Sequence, residues 1–327
     1  MAHMTNPLAT PEQLYRWNSF SSLPSDIQEV VFYQAQCLTQ AAGILLQLPQ
    51  SVTAQANVLL ARYWLVDPIM SHEFSDVSAA CIYLTAKMGP SPRSPRDVSN
   101  VYAYLLSPAS AFLLRRDETS PAPPDDPSAY HLSEADYAAF HTRILSLEAR
   151  VLYALSFDTH AALPHPLAVT YLQALDFLGA PGGPRSAVPR RALAYLNTAL
   201  LSPQLLYATH QPCALAVAAI YAAARDVPGA RAPEFEWWEV FDVDREELGF
   251  LVVAMRSVEG WMRKREEEMP GLFARGMVTR AAVEDAMRER GLSVGNGSRG
   301  PAEEKADAEE EMMRKMDERV AQIEAQQ

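Results

Sequence analysis

The chain has 327 residues, 49% hydrophobic and 21% charged, an ordinary globular balance with enough length for two domains. A formal charge of -12 argues against a general affinity for phosphate backbones, so nucleic acid is not expected as a direct partner. No window reads as a membrane span or a signal peptide, and Cys37, Cys81 and Cys213 lie far apart inside apolar runs, where reduced core thiols of a cytosolic or nuclear protein are expected.

Alanine and leucine dominate, and valine and isoleucine do not cluster in alternating runs, which predicts an all-α protein. Residues 1–24 read as an N-terminal extension: a cloning scar over 1–4, then a polar, proline-containing stretch with Trp17 and Phe20 as anchors onto the body. Ser25-Asp26 predicts the cap of a long helix to residue 47, whose apolar positions, among them Ile27, Val31, Leu38 and Leu45, fall largely at three- and four-residue steps. Leu48-Pro49-Gln50 breaks it, and Ser51 is placed to cap a second helix to about residue 66. The run 77–86 is small and apolar, with Ala79, Ala80 and Cys81 allowing close approach, and it predicts a central buried helix that ends in Lys87. Gly89, Pro90, Pro92 and Pro95 then force an extended elbow. Ser94 caps a fourth helix with Pro95 at its first position and Asp97 in its first turn.

Residues 107–131, with serine, aspartate and a run of prolines, predict an exposed, mobile insert. Ser133-Glu134 opens a fifth helix over 137–155, and Pro166 sits in the first turn of another over 167–178. A Gly/Pro linker leads to helices around 190–201 and 211–225, then an elbow with Trp237, Trp238 and Phe241, and a long amphipathic helix over 246–264. Ile82-Tyr83-Leu84-Thr85-Ala86-Lys87 can be laid on Ile220-Tyr221-Ala222-Ala223-Ala224-Arg225, each followed by a proline-containing elbow. One unit of roughly five helices is therefore used twice. Beyond Pro270 a short helix is predicted over 278–289 and a flexible linker over 291–300. Residues 301–327 are acidic, with Met312, Met313, Met316, Val320 and Ile323 spaced mostly by three and four. That segment reads as a solvated helix or disordered tail, or as a helix formed on a partner.

Several of these stretches resemble the cyclin family, and within it the L-type cyclins. The segment Leu38-Thr39-Gln40-Ala41-Ala42-Gly43-Ile44-Leu45-Leu46-Gln47-Leu48-Pro49-Gln50 is similar to the family's opening helix. Arg96-Asp97-Val98-Ser99-Asn100-Val101 resembles its fourth-helix motif. Pro164-His165-Pro166 followed by Tyr171-Leu172-Gln173-Ala174-Leu175 resembles the start of its second repeat. Trp237-Trp238 with Phe241 and Glu246-Glu247-Leu248 resembles its last elbow, and the proline-rich insert also falls where that family carries one. The resemblance covers about residues 25–265 and fits a divergent, fungal-type member. It implies two tandem five-helix cyclin boxes, at 25–160 and 161–268, followed by a C-terminal acidic tail at 269–327. It further implies a nuclear, non-catalytic subunit that pairs with a cyclin-dependent kinase tied to transcription and pre-mRNA splicing, with splicing factors as further partners. A cyclin-fold scaffold that binds such factors without activating a kinase is the alternative.

By that resemblance the polar contact to the kinase falls on Lys87 and Glu148, and its apolar surroundings on Met88, Leu152 and Phe157. Each has a plainer reading. Lys87 at a helix C-terminus compensates the dipole, Glu148 in an apolar helix forms an internal salt bridge, and the other three are core. The chain departs from the family directly after Lys87, with Gly89 and Pro90 where two acidic residues usually stand. Trp237, Trp238 and Phe241 read as packing. No HExxH, CxxC, glycine-rich phosphate loop or nucleophile elbow occurs, so no catalytic, cofactor or metal residue is assigned. Asp242, Asp244, Glu246 and Glu247 lack the glycine of a calcium loop and read as the cap of the last helix.

Overall fold

The computed structural model describes residues 4–19, 21–107, 110, 130–178, 184–230, 235–273 and 276–292, and every regular element among them is helical. In chain order these are α1 (Pro11–Ser19), α2 (Ser25–Leu45), α3 (Gln50–Trp64), α4 (Phe74–Met88), α5 (Pro95–Leu106), α6 (Glu134–Ala154), α7 (Pro164–Ala174), α8 (Val188–Leu200), α9 (Leu206–Thr209), α10 (Pro212–Asp226), α11 (Arg245–Glu268), α12 (Pro270–Phe273) and α13 (Arg280–Glu289). Phe20, most of the 107–131 insert, the linker at 179–183 and everything after residue 292, including the acidic tail, lie outside the described residues.

Helix α4 is the axis of the first half. Val77, Ala79, Ala80, Cys81 and Ile82 are buried, and α2, α3, α5 and α6 all pack on it. A helix ringed by four others needs short side chains, because bulk would hold the neighbours apart. The same economy brings α2 onto α3, where a Cβ on Gly43 would lie 2.2 Å from Thr53 Oγ1. Buried hydroxyls are used in series. Thr39 donates to the Ala35 carbonyl at 2.8 Å, so Ser78 donates to Thr39 at 2.7 Å and Tyr102 to Ser78 at 2.7 Å. That chain ties α2, α4 and α5 together with each donor used once.

Helix α10 has the same role in the second half, with α7, α8 and α11 packed on its buried alanines. Here the fourth helix shrinks to a single 3₁₀ turn, Glu239–Phe241, which ends where Asp242 turns left-handed at φ 57°. Aromatic side chains close this side of α10: Trp237 is buried, and the Phe241 ring lies 4.0 Å from that of Tyr171.

Helix starts partly match the sequence reading. Ser94 and Asp97 form a capping box with Pro95 at the first position of α5, Ser133 caps α6 by accepting from Asp136 N, and Asp244 caps α11 by accepting from Glu247 N at 2.7 Å. For α2 and α3 the expected side-chain caps are absent. Pro24 and Pro49 occupy the capping positions, and their carbonyls accept from Gln28 N at 2.9 Å and Thr53 N at 3.2 Å. Proline's fixed φ already sets the entry angle, so no serine is needed there.

Packing also corrects the expected end of the folded body. Met269, Leu272, Met277, Val278, Val283 and Met287 are buried in the core of the first half. Gln34 of α2 holds this return, donating to the Leu272 carbonyl at 3.3 Å and accepting from Val278 N at 2.7 Å. Arg290 then pairs with Asp26 at 2.7 Å. The described residues after 269 are thus body rather than tail. Their apolar side chains are sparse in composition, yet they converge on the core that α2 helps to build. At the other end Trp17 meets Phe32 edge-on at 6.0 Å, as an anchor should. Helix α3 serves both halves: Leu59 and Leu60 lie in the first core, Ala54 and Val58 in the second.

Candidate functional site

Helix α4 stops at Met88 because Gly89 is extended (φ -85°, ψ -178°) and Pro90 cannot continue the turn. The stop leaves Lys87 in the last turn, beside α6. Its Nζ lies 3.1 Å from Glu148 Oε1 and 5.6 Å from the centre of the Tyr83 ring. The pair is lopsided: the Lys87 side chain is 56% exposed, that of Glu148 9%. Glu148 sits among the buried Ile144, Leu147 and Val151 of α6, and Lys87 gives its carboxylate an ion-pair partner there. The hydrogen bond to Glu148, together with that carboxylate's charge, raises the Lys87 pKa. One ammonium donor serves Glu148, and an ammonium has three.

Exposed apolar groups follow both members of this pair along the chain. Met88 is 49% exposed, Phe157 61% and Tyr153 73%, with Leu152 half-buried between them. Phe157 and Tyr153 meet edge-on at 5.3 Å, and Phe157 N donates to the Leu152 carbonyl at 2.8 Å. Ser156 and Phe157 are both left-handed, at φ 51° and 61°. Left-handed backbone costs a residue with a Cβ roughly 1–2 kcal/mol, and here it keeps a large aromatic ring in solvent.

The segment after Phe157 is held from three sides. Gln55 donates to the Thr159 carbonyl at 2.8 Å, and the buried Arg62 donates to the His160 carbonyl at 2.8 Å. Asn6 donates to the Ala162 carbonyl and accepts from Ala162 N, both at 2.8 Å. Asn6 also exchanges hydrogen bonds with the Gln211 side chain of the second half, each 3.0 Å. Thr159 Oγ1 reaches Met88 Sδ at 3.5 Å and closes the ring back to α4.

The structure therefore brings Lys87 and Glu148 into direct contact, leaves Met88 and Phe157 exposed at the ends of α4 and α6, and packs the half-buried Leu152 against the first core. Tyr153, Arg62 and Asn6 escaped the sequence reading. A signal existed for two of them. Tyr153 continues the exposed α6 stripe of Leu145 and Ala149 at four-residue steps, and Arg62 is a lone cation in an otherwise buried run of α3. Asn6 gave none. Among the described residues no group of three His, Cys, Asp or Glu is arranged to hold a metal ion, and no helix is long and apolar enough to cross a membrane.

No family model matches the chain. Among curated proteins it is similar to human Cyclin-L2, 31% identical over 261 residues, which covers 79% of this chain and 45% of that protein. It is also similar to chicken Cyclin-L1, 29% identical over 76% of this chain and 42% of that protein. An uncharacterized cyclin-L1-like protein of Schizosaccharomyces pombe is 29% identical over 78% of this chain and 90% of its own length. The chain thus spans about half the length of the vertebrate relatives it matches. Among solved structures, a chain of the yeast RNA Pol II CTD kinase CTDK-1 complex aligns with TM-score 0.60 and 12% identity, covering 89% of this chain and 86% of that one. A chain of the CAK complex from Chaetomium thermophilum bound to ATP-gamma-S aligns with TM-score 0.54 and 13% identity, covering 90% and 93%.

Proposed function

The chain belongs to the cyclin family as a relative of cyclin L, and from that premise we propose that it is the regulatory subunit of a transcription-linked cyclin-dependent kinase. A protein kinase works when a mobile helix is held inward so that its glutamate pairs with the ATP-binding lysine. A partner can do this mechanically, by burying apolar area against that helix and fixing its rotation with a few charge-assisted hydrogen bonds. The carrying observation is the Lys87–Glu148 pair, with its half-exposed lysine, together with the exposed Met88, Tyr153 and Phe157 at the ends of α4 and α6. The carboxylate is the buried anchor, the ammonium offers the remaining donors, and the apolar groups supply area. In this reading the chain performs no chemistry of its own. It acts in the nucleus as a heterodimer with the kinase, and splicing factors are further partners.

The test is capture of kinase from nuclear extract. The Lys87→Ala, Glu148→Ala double variant should lose co-purifying kinase while its helical melting transition moves little. Undiminished capture would reject this face. A scaffold that binds splicing or transcription factors without activating a kinase is the second reading. The crowded elbow favours it: a Cβ on Gly89 would lie 3.0 Å from both the Thr85 carbonyl oxygen and Val52 Cγ2, so an acidic side chain there would require its neighbours to give way. Assaying the co-purified kinase with and without the chain separates the two.

A further inference from the structure

The elbow between α4 and α5 reads Gly89-Pro90-Ser91-Pro92-Arg93-Ser94-Pro95-Arg96, with two Ser-Pro-Arg triplets in tandem. Their serines differ in one respect. Ser94 caps α5: its hydroxyl accepts from Asp97 N at 3.1 Å and lies 2.8 Å from Asp97 Oδ2, with Pro95 already in the helix. Ser91 is partly exposed, and its hydroxyl has no hydrogen-bond partner among the described residues. The chain bends over Gly89, Pro90 and Ser91 between the end of α4 and the extended Ser94, which places Ser91 in a turn outside both helices. The other described serines and threonines that precede proline are engaged. Thr10 accepts from Gln13 N, Ser107 donates to the Tyr104 carbonyl, and the buried Ser202 accepts from Gln204 N.

We propose that Ser91 is a phosphorylation site for a proline-directed serine/threonine kinase, and that its phosphate acts on the Lys87 face. In the transfer, Ser91 Oγ forms a bond to the γ-phosphorus of ATP, the bond to the ADP leaving group breaks, and the hydroxyl proton passes to the base of the modifying kinase. Ser94 is spared because using it would unwind the first turn of α5 and break its capping box.

The consequence follows from charge. From Lys87 to Arg96 the elbow carries Lys87, Arg93 and Arg96 and no carboxylate. Arg93 is turned away to the end of α2, donating to the Leu46 carbonyl at 2.8 Å and the Gln47 carbonyl at 3.3 Å, and Arg96 pairs with Glu134 at 2.8 Å. Lys87 is left as the cation that spends one donor on Glu148 and keeps the rest exposed. It stands four residues from Ser91, at most about 14 Å of extended chain. A phosphate of about -1.5 to -2 charge would claim the donors that a partner otherwise receives. This consequence rests on the kinase reading; the modification itself does not.

Two measurements test the proposal. The full chain is treated with a proline-directed kinase and ATP, and its phosphosites are mapped by mass spectrometry. Phosphate should appear at Ser91, persist in Ser94→Ala and vanish in Ser91→Ala; an unlabelled Ser91, or Ser94 labelled ahead of it, overturns the site. Affinity for the co-purifying cyclin-dependent kinase is then compared before and after treatment, with treated Ser91→Ala as control for other sites. Phosphorylation should weaken binding roughly tenfold, in line with losing part of a charge contact at an interface. Unchanged or tighter binding overturns the switch. Labelling at Ser91 in a chain that binds no kinase at all upholds the site and rejects the kinase reading instead.

Discussion

The two halves of the molecule end their central helices with a tyrosine followed four residues later by a cation, and surround that cation differently. In α4, Lys87 lies over the ring of Tyr83, four residues back; in α10, Arg225 lies over Tyr221 at the same spacing, 5.2 Å from the ring centre. The fifth helices then diverge. The buried positions Ile144, Leu147, Glu148 and Val151 of α6 recur in α11 as Leu251, Ala254, Met255 and Val258, so methionine stands where the first half has its carboxylate. Arg225 donates to the Tyr221 hydroxyl at 2.7 Å. The neighbouring Asp226 gathers the local charge, with Arg256 at 2.9 Å, Arg191 at 3.2 Å and a hydrogen bond from the Tyr195 hydroxyl. In the second half one partly exposed carboxylate is shared by two arginines and a tyrosine hydroxyl. In the first, a more deeply buried carboxylate meets a single lysine, and the difference lies in the anion's burial and its number of partners rather than in the exposure of the cations.

A second pair makes the same point within six residues. Leu152-Tyr153-Ala154-Leu155-Ser156-Phe157 ends α6, and Leu172-Gln173-Ala174-Leu175-Asp176-Phe177 ends α7. Both turns close with the phenylalanine N–H on the leucine carbonyl at 2.8 Å, and both turn left-handed at the residue before it. They part at the phenylalanine. Phe157 is left-handed as well and 61% exposed, whereas Phe177 is 1% exposed in the second core.

The largest effect should break this second pair. Truncating a buried phenylalanine typically costs about 3–5 kcal/mol, so Phe177→Ala should lower the unfolding midpoint sharply, whereas Phe157→Ala should leave it nearly in place and weaken kinase capture. Equal destabilisation by the two in a chemical melt would erase the distinction. Next comes the pair of cations. Lys87→Ala strands a buried carboxylate and should cost about 2–5 kcal/mol of kinase binding, against well under 1 for Arg225→Ala, when both are titrated against the same kinase. Comparable losses would mean that the docking face is not confined to the first half. Tyr153→Ala removes one exposed ring from an edge-on pair, and calorimetry should show a binding loss of about 1 kcal/mol with an unchanged melting curve.

The smallest effect concerns pH, because the cations involved are more than half exposed and screened by solvent. Burial raises the pKa of Asp226, but hydrogen bonds from Tyr195 and Arg191 and the charges of Arg256 and Arg191 outweigh it and leave it below the ordinary 3.8. Its contribution to stability is complete above that value and fades as pH falls through the lowered one. Lys87 is raised above 10.5, chiefly by its hydrogen bond to Glu148, so its contribution is complete below 10.5 and fades as pH rises through the raised value. Asp226→Asn should therefore flatten the acid limb of a stability–pH profile, and Lys87→Met the alkaline limb. A reversed assignment would contradict the geometry.

Local chemistry was enough to read the helices, the small-residue axes α4 and α10, and the start of α5 at Ser94-Pro95. Periodicity, proline sterics and caps act over a few residues and carry their meaning with them. The Lys87–Glu148 contact was also legible, through resemblance and through the cost of leaving a carboxylate alone in an apolar helix. Burial, in contrast, is a sum over distant neighbours. Nothing within Leu152–Phe157 says that Gln55, Arg62 and Asn6 will hold the following strand of chain so that Phe157 faces water, and nothing within Leu172–Phe177 says that a core will form around its twin. The return of Met269–Met287 into the first core and the shrinking of the second fourth helix to one turn have the same origin. Each is settled by which surfaces, far apart along the chain, compete to exclude the same water.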